Sequence, residues 1–181
     1  GPVLEVLHAG LFSTVRVDNP LEEADGWVNV WGENVDAAPQ FGPAKDVRFA
    51  TLNGEHWLFA LGSDATLQRN DGSGWQLVTH GVVSMDVAHW ASRDYAFYLD
   101  SSHVLATSLD GIIWRTQDTL AQQFAVGRQA GRTYLYDLTT TGQLKQSNGG
   151  GWVPVMSNVT AFALHTWAGA NYAFFLTQNG V

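Results

Sequence analysis

Apolar and polar residues alternate along this chain with a period of two over stretches of four to six residues, and each stretch ends in Gly, Asn, Asp or Ser. This pattern predicts short β-strands separated by tight turns. Residues 86–90, 94–99, 104–108 and 112–115 illustrate it: four segments rich in β-branched and aromatic side chains, parted by gaps short enough to join antiparallel neighbours as hairpins. The next gap, 116–123, is longer. Three tight hairpins followed by a longer link form the plan of a propeller blade, in which the chain crosses from an outermost strand to the innermost strand of the next sheet.

The same unit recurs along the chain. The aromatic residues Trp57, Tyr95, Tyr134 and Tyr172 open equivalent apolar runs and lie 38, 39 and 38 residues apart. Leu67, Leu105 and Leu144 each follow ten residues after the first three of these, and Trp75, Trp114 and Trp152 follow 18 or 19 after. Constant spacing over so many positions predicts stacked copies of one supersecondary unit. The turn before each Trp is also shared, as in Asn70-Asp71-Gly72, Leu109-Asp110-Gly111 and Asn148-Gly149-Gly150. Asp or Asn bonds its own backbone there while glycine accepts a positive φ.

The two ends of the chain complement one another. The copy that begins at Tyr172 stops before its third-strand leucine, and the missing half is matched at the start by Val3, Leu4, Val6 and Leu7, a turn at 8–10, and Phe12 in the place of the repeat Trp. The predicted fold is an all-β propeller of four blades, each of four antiparallel strands, with the last blade completed by the N-terminal strands. Such closure removes exposed sheet edges. Within a single domain spanning 1–181, residues 3–17 are the closing strands and 18–46 a long insertion. Residues 47–79, 86–116 and 124–156 are full blades, and 161–181 is the first half of the last blade. The insertion breaks the rhythm. Its run 26–32 alternates like a strand and reads either as an extra hairpin arm or as the remnant of a degenerate blade, which would make the ring five-membered.

Composition narrows the function. A net charge of −8 with two lysines argues against a phosphate-tracking surface, so nucleic acid is not an expected partner. No apolar run approaches a membrane span, and none is expected to insert. Without cysteine there is no disulfide framework, which leaves the compartment open, cytoplasm included. The opening Gly1-Pro2 has the form of a protease scar, beyond which a native signal peptide would be invisible. No phosphate loop, helical His-Glu pair or cysteine nucleophile is present, and no residues nominate a Ser, His, Asp triad, so the expectation is a non-catalytic protein without cofactor or bound metal. Glu22, Glu23 and Asp25 in the insertion offer the several oxygens that a calcium ion wants, but they match no EF-hand spacing, and solvated charge is the commoner reading of such a group.

The turn at Asp110-Gly111 resembles the Asp-box of sialidase-type propellers, with one residue fewer between the two than that pattern has. The larger, six-bladed catalytic rings of that group make their chemistry a poor match. Blades ending in Gly-rich turns with a packed Trp are similar to those of small propeller lectins of the tachylectin, tectonin and bacterial fucose-binding types. The resemblance implies carbohydrate binding, displayed outside the cell or on its surface, through aromatic faces and polar side chains. The residues expected to serve are Trp90, Gln129 and Trp167, which share one register at the inner-strand end, with His89 and Arg128 beside them, and Trp27 and Trp31 on the insertion. The rival expectation is a protein-interaction or adhesion module docked through the insertion. Either form would be a monomer or a strand-swapped dimer.

Overall fold

A computed structural model describes residues 6–9, 12–15, 28–29, 44–167 and 169–178, all in strands and turns, with no helix among them. The N-terminal strands β1 (Val6–Ala9), β2 (Phe12–Val15) and β3 (Val28–Asn29) form one antiparallel sheet. Three four-stranded antiparallel sheets follow. The first holds β4 (Ala44–Leu52), β5 (Glu55–Gly62), β6 (Leu67–Asn70) and β7 (Trp75–Thr79). The second holds β8 (Val82–Trp90), β9 (Arg93–Asp100), β10 (Leu105–Ser108) and β11 (Trp114–Asp118), and the third β12 (Ala121–Gln129), β13 (Arg132–Thr139), β14 (Leu144–Ser147) and β15 (Val153–Met156). A two-stranded sheet of β16 (Val159–Trp167) and β17 (Ala170–Thr177) ends the described chain.

The sequence period thus becomes a structural one, with boundaries moved for identifiable reasons. The inner strand of the second sheet begins at Val82 rather than at 86, because a register shift between Val82 and Ser84 interrupts the alternation without ending the ladder. The same shift recurs at 44/46, 121/123 and 159/161. The fourth strand starts at Trp114 rather than at 112, because Asp110 Oδ1 accepts the backbone N–H groups of Ile112 and Ile113 at 2.9 and 2.8 Å and keeps both in the turn.

Consecutive sheets pack face to face through the repeat aromatics. Trp57, Phe59 and Leu61 bury against Val82, Met85 and Ala96 of the second sheet. Phe97 and Leu99 bury against Ala121 and Leu135 of the third, and Tyr136 and Leu138 against Val159 and Phe162 of the fourth. Main-chain bonds repeat with them. The N–H groups of Val82, Ala121 and Val159, the first residues of three inner strands, donate at 2.9 Å to the carbonyls of Ala65, His103 and Gly142 in the preceding sheet. Those three acceptors all have positive φ, at 65°, 67° and 78°. The repeat Trp residues also pack backwards, Trp114 against Phe59 and Trp152 with its Nε1 donating to Gln117 O at 3.2 Å.

A cavity of about 410 Å³ is lined by residues of all four inner strands, β4, β8, β12 and β16. This fits a propeller-like arrangement of sheets around a common axis. β17 pairs with β16 alone among the described residues, while the N-terminal hairpin pairs with β3. The expected closing strand begins at Val3, and residues 3–5 lie outside the described residues, as do Glu22, Glu23 and Asp25. Val28–Asn29 places a strand within the run 26–32, read from the sequence as an extra arm or the remnant of a blade.

Candidate functional site

The inner hairpins of the third and fourth sheets approach one another at Gly127, where an added Cβ would lie 2.4 Å from Leu164 Cδ1. Beside this contact, between β12–β13 and β16–β17, opens a cleft of about 340 Å³. That volume falls at the lower end of the range for small-ligand sites, roughly 300–1,000 Å³. Tyr136 forms its floor, 1% exposed, and donates its hydroxyl to Gln129 Oε1 at 2.7 Å. Burial, with Tyr134 nearby, raises the Tyr136 pKa above its usual value and keeps that hydroxyl a donor. On the opposite wall Thr166 Oγ1 donates to Asn171 Oδ1 at 2.6 Å, and Tyr172 offers a ring that is 41% exposed. Arg128 and His165 complete the rim, both exposed.

Hydrogen bonding has already engaged the acceptor oxygens of both amide side chains. Gln129 and Asn171 keep both N–H donors and one acceptor site each toward a ligand, and Arg128 adds only donors. Among the described residues no carboxylate lines the cleft. Arg128 itself makes no hydrogen bond or ion pair among the described residues. Its counterparts in the other hairpins are paired across the strands: His89 Nδ1 lies 2.9 Å from Asp94 Oδ1, Thr51 Oγ1 lies 3.0 Å from His56 Nδ1, and Thr166 bonds Asn171.

Of the residues expected from the sequence, Arg128 and Gln129 meet in this cleft. His89 belongs to the second sheet, where it is exposed and tied to Asp94. Trp90 is a correction: it is 4% exposed, packed against Tyr95 and Phe97, and donates Nε1 to Ser147 O at 2.7 Å, so its ring has no face to offer a ligand. A tryptophan at that position bridges the joint between sheets because its polar edge reaches a carbonyl while its body fills the core. The backbone of Trp167 ends β16 opposite Ala170, and its side chain lies outside the described residues, as do Trp27 and Trp31. Tyr136, His165, Asn171 and Tyr172 were not anticipated. Asn171 and Tyr172 were recoverable as cross-strand partners of Thr166 and His165 in a short hairpin.

The axial cavity is a weaker candidate, because its polar groups serve one another. Arg48 stands 3.0 Å from Asp46 and 3.7 Å from Asp86, and Gln123 Nε2 donates to Phe162 O at 2.8 Å. Burial raises the Asp86 carboxyl, against the Val87 N–H that it accepts. Among the described residues no cluster of His, Cys, Asp and Glu is placed to hold a metal ion, and no helix is long and apolar enough to cross a membrane. In comparisons with known proteins, the chain matches no family model and no curated protein.

Proposed function

We propose that this chain is a non-catalytic, carbohydrate-binding propeller of lectin type, acting outside the cell or on its surface, and that the cleft between the third and fourth sheets is a glycan site. One observation carries the reading. A half-exposed tyrosine ring, able to stack on the C–H face of a sugar, stands beside several side-chain donors held in place by bonds to their neighbours. Pre-positioned polar groups around an apolar surface are what a hydroxyl-rich ligand needs, since its desolvation is offset only by well-placed partners. A glycan array on the purified chain is expected to give selective hits that Asn171→Ala and Tyr172→Ala abolish while the chain stays folded. A blank array, with the protein folded, overturns the reading.

The same proposal has the N-terminal hairpin complete the fourth sheet, within one chain or by exchange between two. Support comes from the match of Val3–Leu7 to the third-strand repeat and from Leu176, which is 56% exposed where its counterparts Leu61, Leu99 and Leu138 are at most 3%. Removal of residues 1–15 is expected to lower thermal stability. An unchanged melting temperature rejects this closure.

A further inference from the structure

We infer that the glycan taken by this cleft is anionic, with the Arg128 guanidinium receiving a carboxylate or sulfate on the sugar; this rests on the carbohydrate reading above. The protein carries 17 Asp and Glu against 9 Lys and Arg, so a binding surface drawn at random from it would be acidic. The cleft is the reverse. Its charged side chain is Arg128, His165 stands across from it, and among the described residues no Asp or Glu contributes to the lining. The β12–β13 hairpin adds a second guanidinium at Arg132, and residues 126–134 contain no acid.

Comparison of the repeats makes the point sharper. The second sheet places His89 at the Arg128 position and sets Asp94 against it across the strands. In the third sheet the cross-strand partner of Arg128 is Thr133, which carries no charge. A guanidinium has five N–H donors in a planar fork that matches a carboxylate, and it accepts nothing in return. The neighbouring amides, each fixed through its oxygen by Tyr136 or Thr166, have N–H donors left to give. A neutral sugar hydroxyl can use the donors and acceptors of this rim, but it leaves the Arg128 charge without a counter-charge. An oxyanion needs donors alone.

The test uses the whole chain and matched probes: methyl β-glucuronide, methyl β-glucoside and glucose 6-sulfate, titrated calorimetrically against the native protein, Arg128→Gln and Arg128→Lys. The glucuronide or the sulfate is expected to bind roughly tenfold more tightly than the neutral glucoside, as one charge-assisted hydrogen bond allows. Which of the two binds more tightly identifies the oxyanion. Arg128→Gln should reduce that advantage to about twofold or less and Arg128→Lys should keep part of it, with melting temperatures unchanged because Arg128 bonds to none of the described residues. Added salt should weaken the charged probes selectively. Equal binding of charged and neutral probes, or an anion preference that survives Arg128→Gln, overturns this inference and leaves the glycan reading standing. If these probes do not bind and the array is blank as well, the glycan reading itself falls.

Discussion

The indole of Trp90 donates to the main-chain carbonyl of Ser147, 2.7 Å away and 57 residues later in the chain, and so ties the end of one inner strand to the third strand of the next sheet. Trp90→Phe keeps most of the apolar volume but leaves that buried carbonyl without its donor, a loss of about 1–2 kcal/mol. Trp90→Ala should cost about 3–5 kcal/mol through the cavity it opens among Tyr95, Phe97 and Trp152. Urea denaturation of the two variants measures both values. Losses under 0.5 kcal/mol, on the order of an exposed surface substitution, would show that Trp90 is not the bolt described here.

Glycine 111 tests whether the Asp-box-like turn is structural. Its φ is +73°, and an added Cβ would sit 2.9 Å from the Trp57 ring of the preceding sheet. Arg69 lies over that same ring at 5.0 Å and bonds the Gly111 carbonyl. Gly111→Ala is therefore expected to lose about 2–4 kcal/mol, part backbone strain and part overpacking. Gly131→Ala is the control, since its φ is +80° with nothing within 4 Å of the added atom, and only the strain of about 1 kcal/mol should remain. Equal losses at both sites would remove the packing role.

A pH response is built into the joint between the second and third sheets. Asp137 is fully buried, and burial, together with the Asp118 carboxyl beside it, raises its pKa from 3.8 to about 7 in spite of Lys145 at 3.3 Å. Burial also opposes ionisation of Asp118, but bonds from Asp137, from Lys145 and from the N–H groups of Thr119 and Leu120 hold it down to about 2. The two signs differ. An unfolded chain releases the Asp137 proton near 3.8 while the folded chain keeps it, so stability falls as pH rises from there toward about 7. The Asp118 contribution is complete above 3.8 and is lost as pH falls toward about 2. Asp137→Asn should flatten the first limb and leave the second. Urea midpoints of the native protein that do not change between pH 4 and 7 would count against this assignment.

The propeller-like repetition was legible because each copy must bury the same apolar face on its neighbour. Trp57, Tyr95 and Tyr134 therefore recur at nearly constant distance, with Leu67, Leu105 and Leu144 in step and all three leucines at most 1% exposed. Of the residues lining the proposed cleft, Arg128 and Gln129 were legible in the sequence. Gln129 broke the repeat register with a polar side chain where Leu52, Trp90 and Trp167 stand, and Arg128 put a guanidinium where Thr51, His89 and Thr166 stand. Trp90 was read toward a ligand because a large aromatic at a strand end suits a sugar and a core equally well. The signal for Asp137 lay unused in the same alignment. It occupies the place held by Ala60, Tyr98 and Phe175, and an acid among apolar counterparts inside a buried strand has to find a cation or keep its proton.

Three amide-to-carbonyl links, from Val82, Ala121 and Val159 back to the turns at Ala65, His103 and Gly142, fasten each sheet to the one before it without consulting any side chain. Such masonry is indifferent to what decorates it. Residues at the hairpin tips, Arg128 among them, can be exchanged for others with the wall left upright, so one scaffold is free to acquire a different chemical taste at every seam.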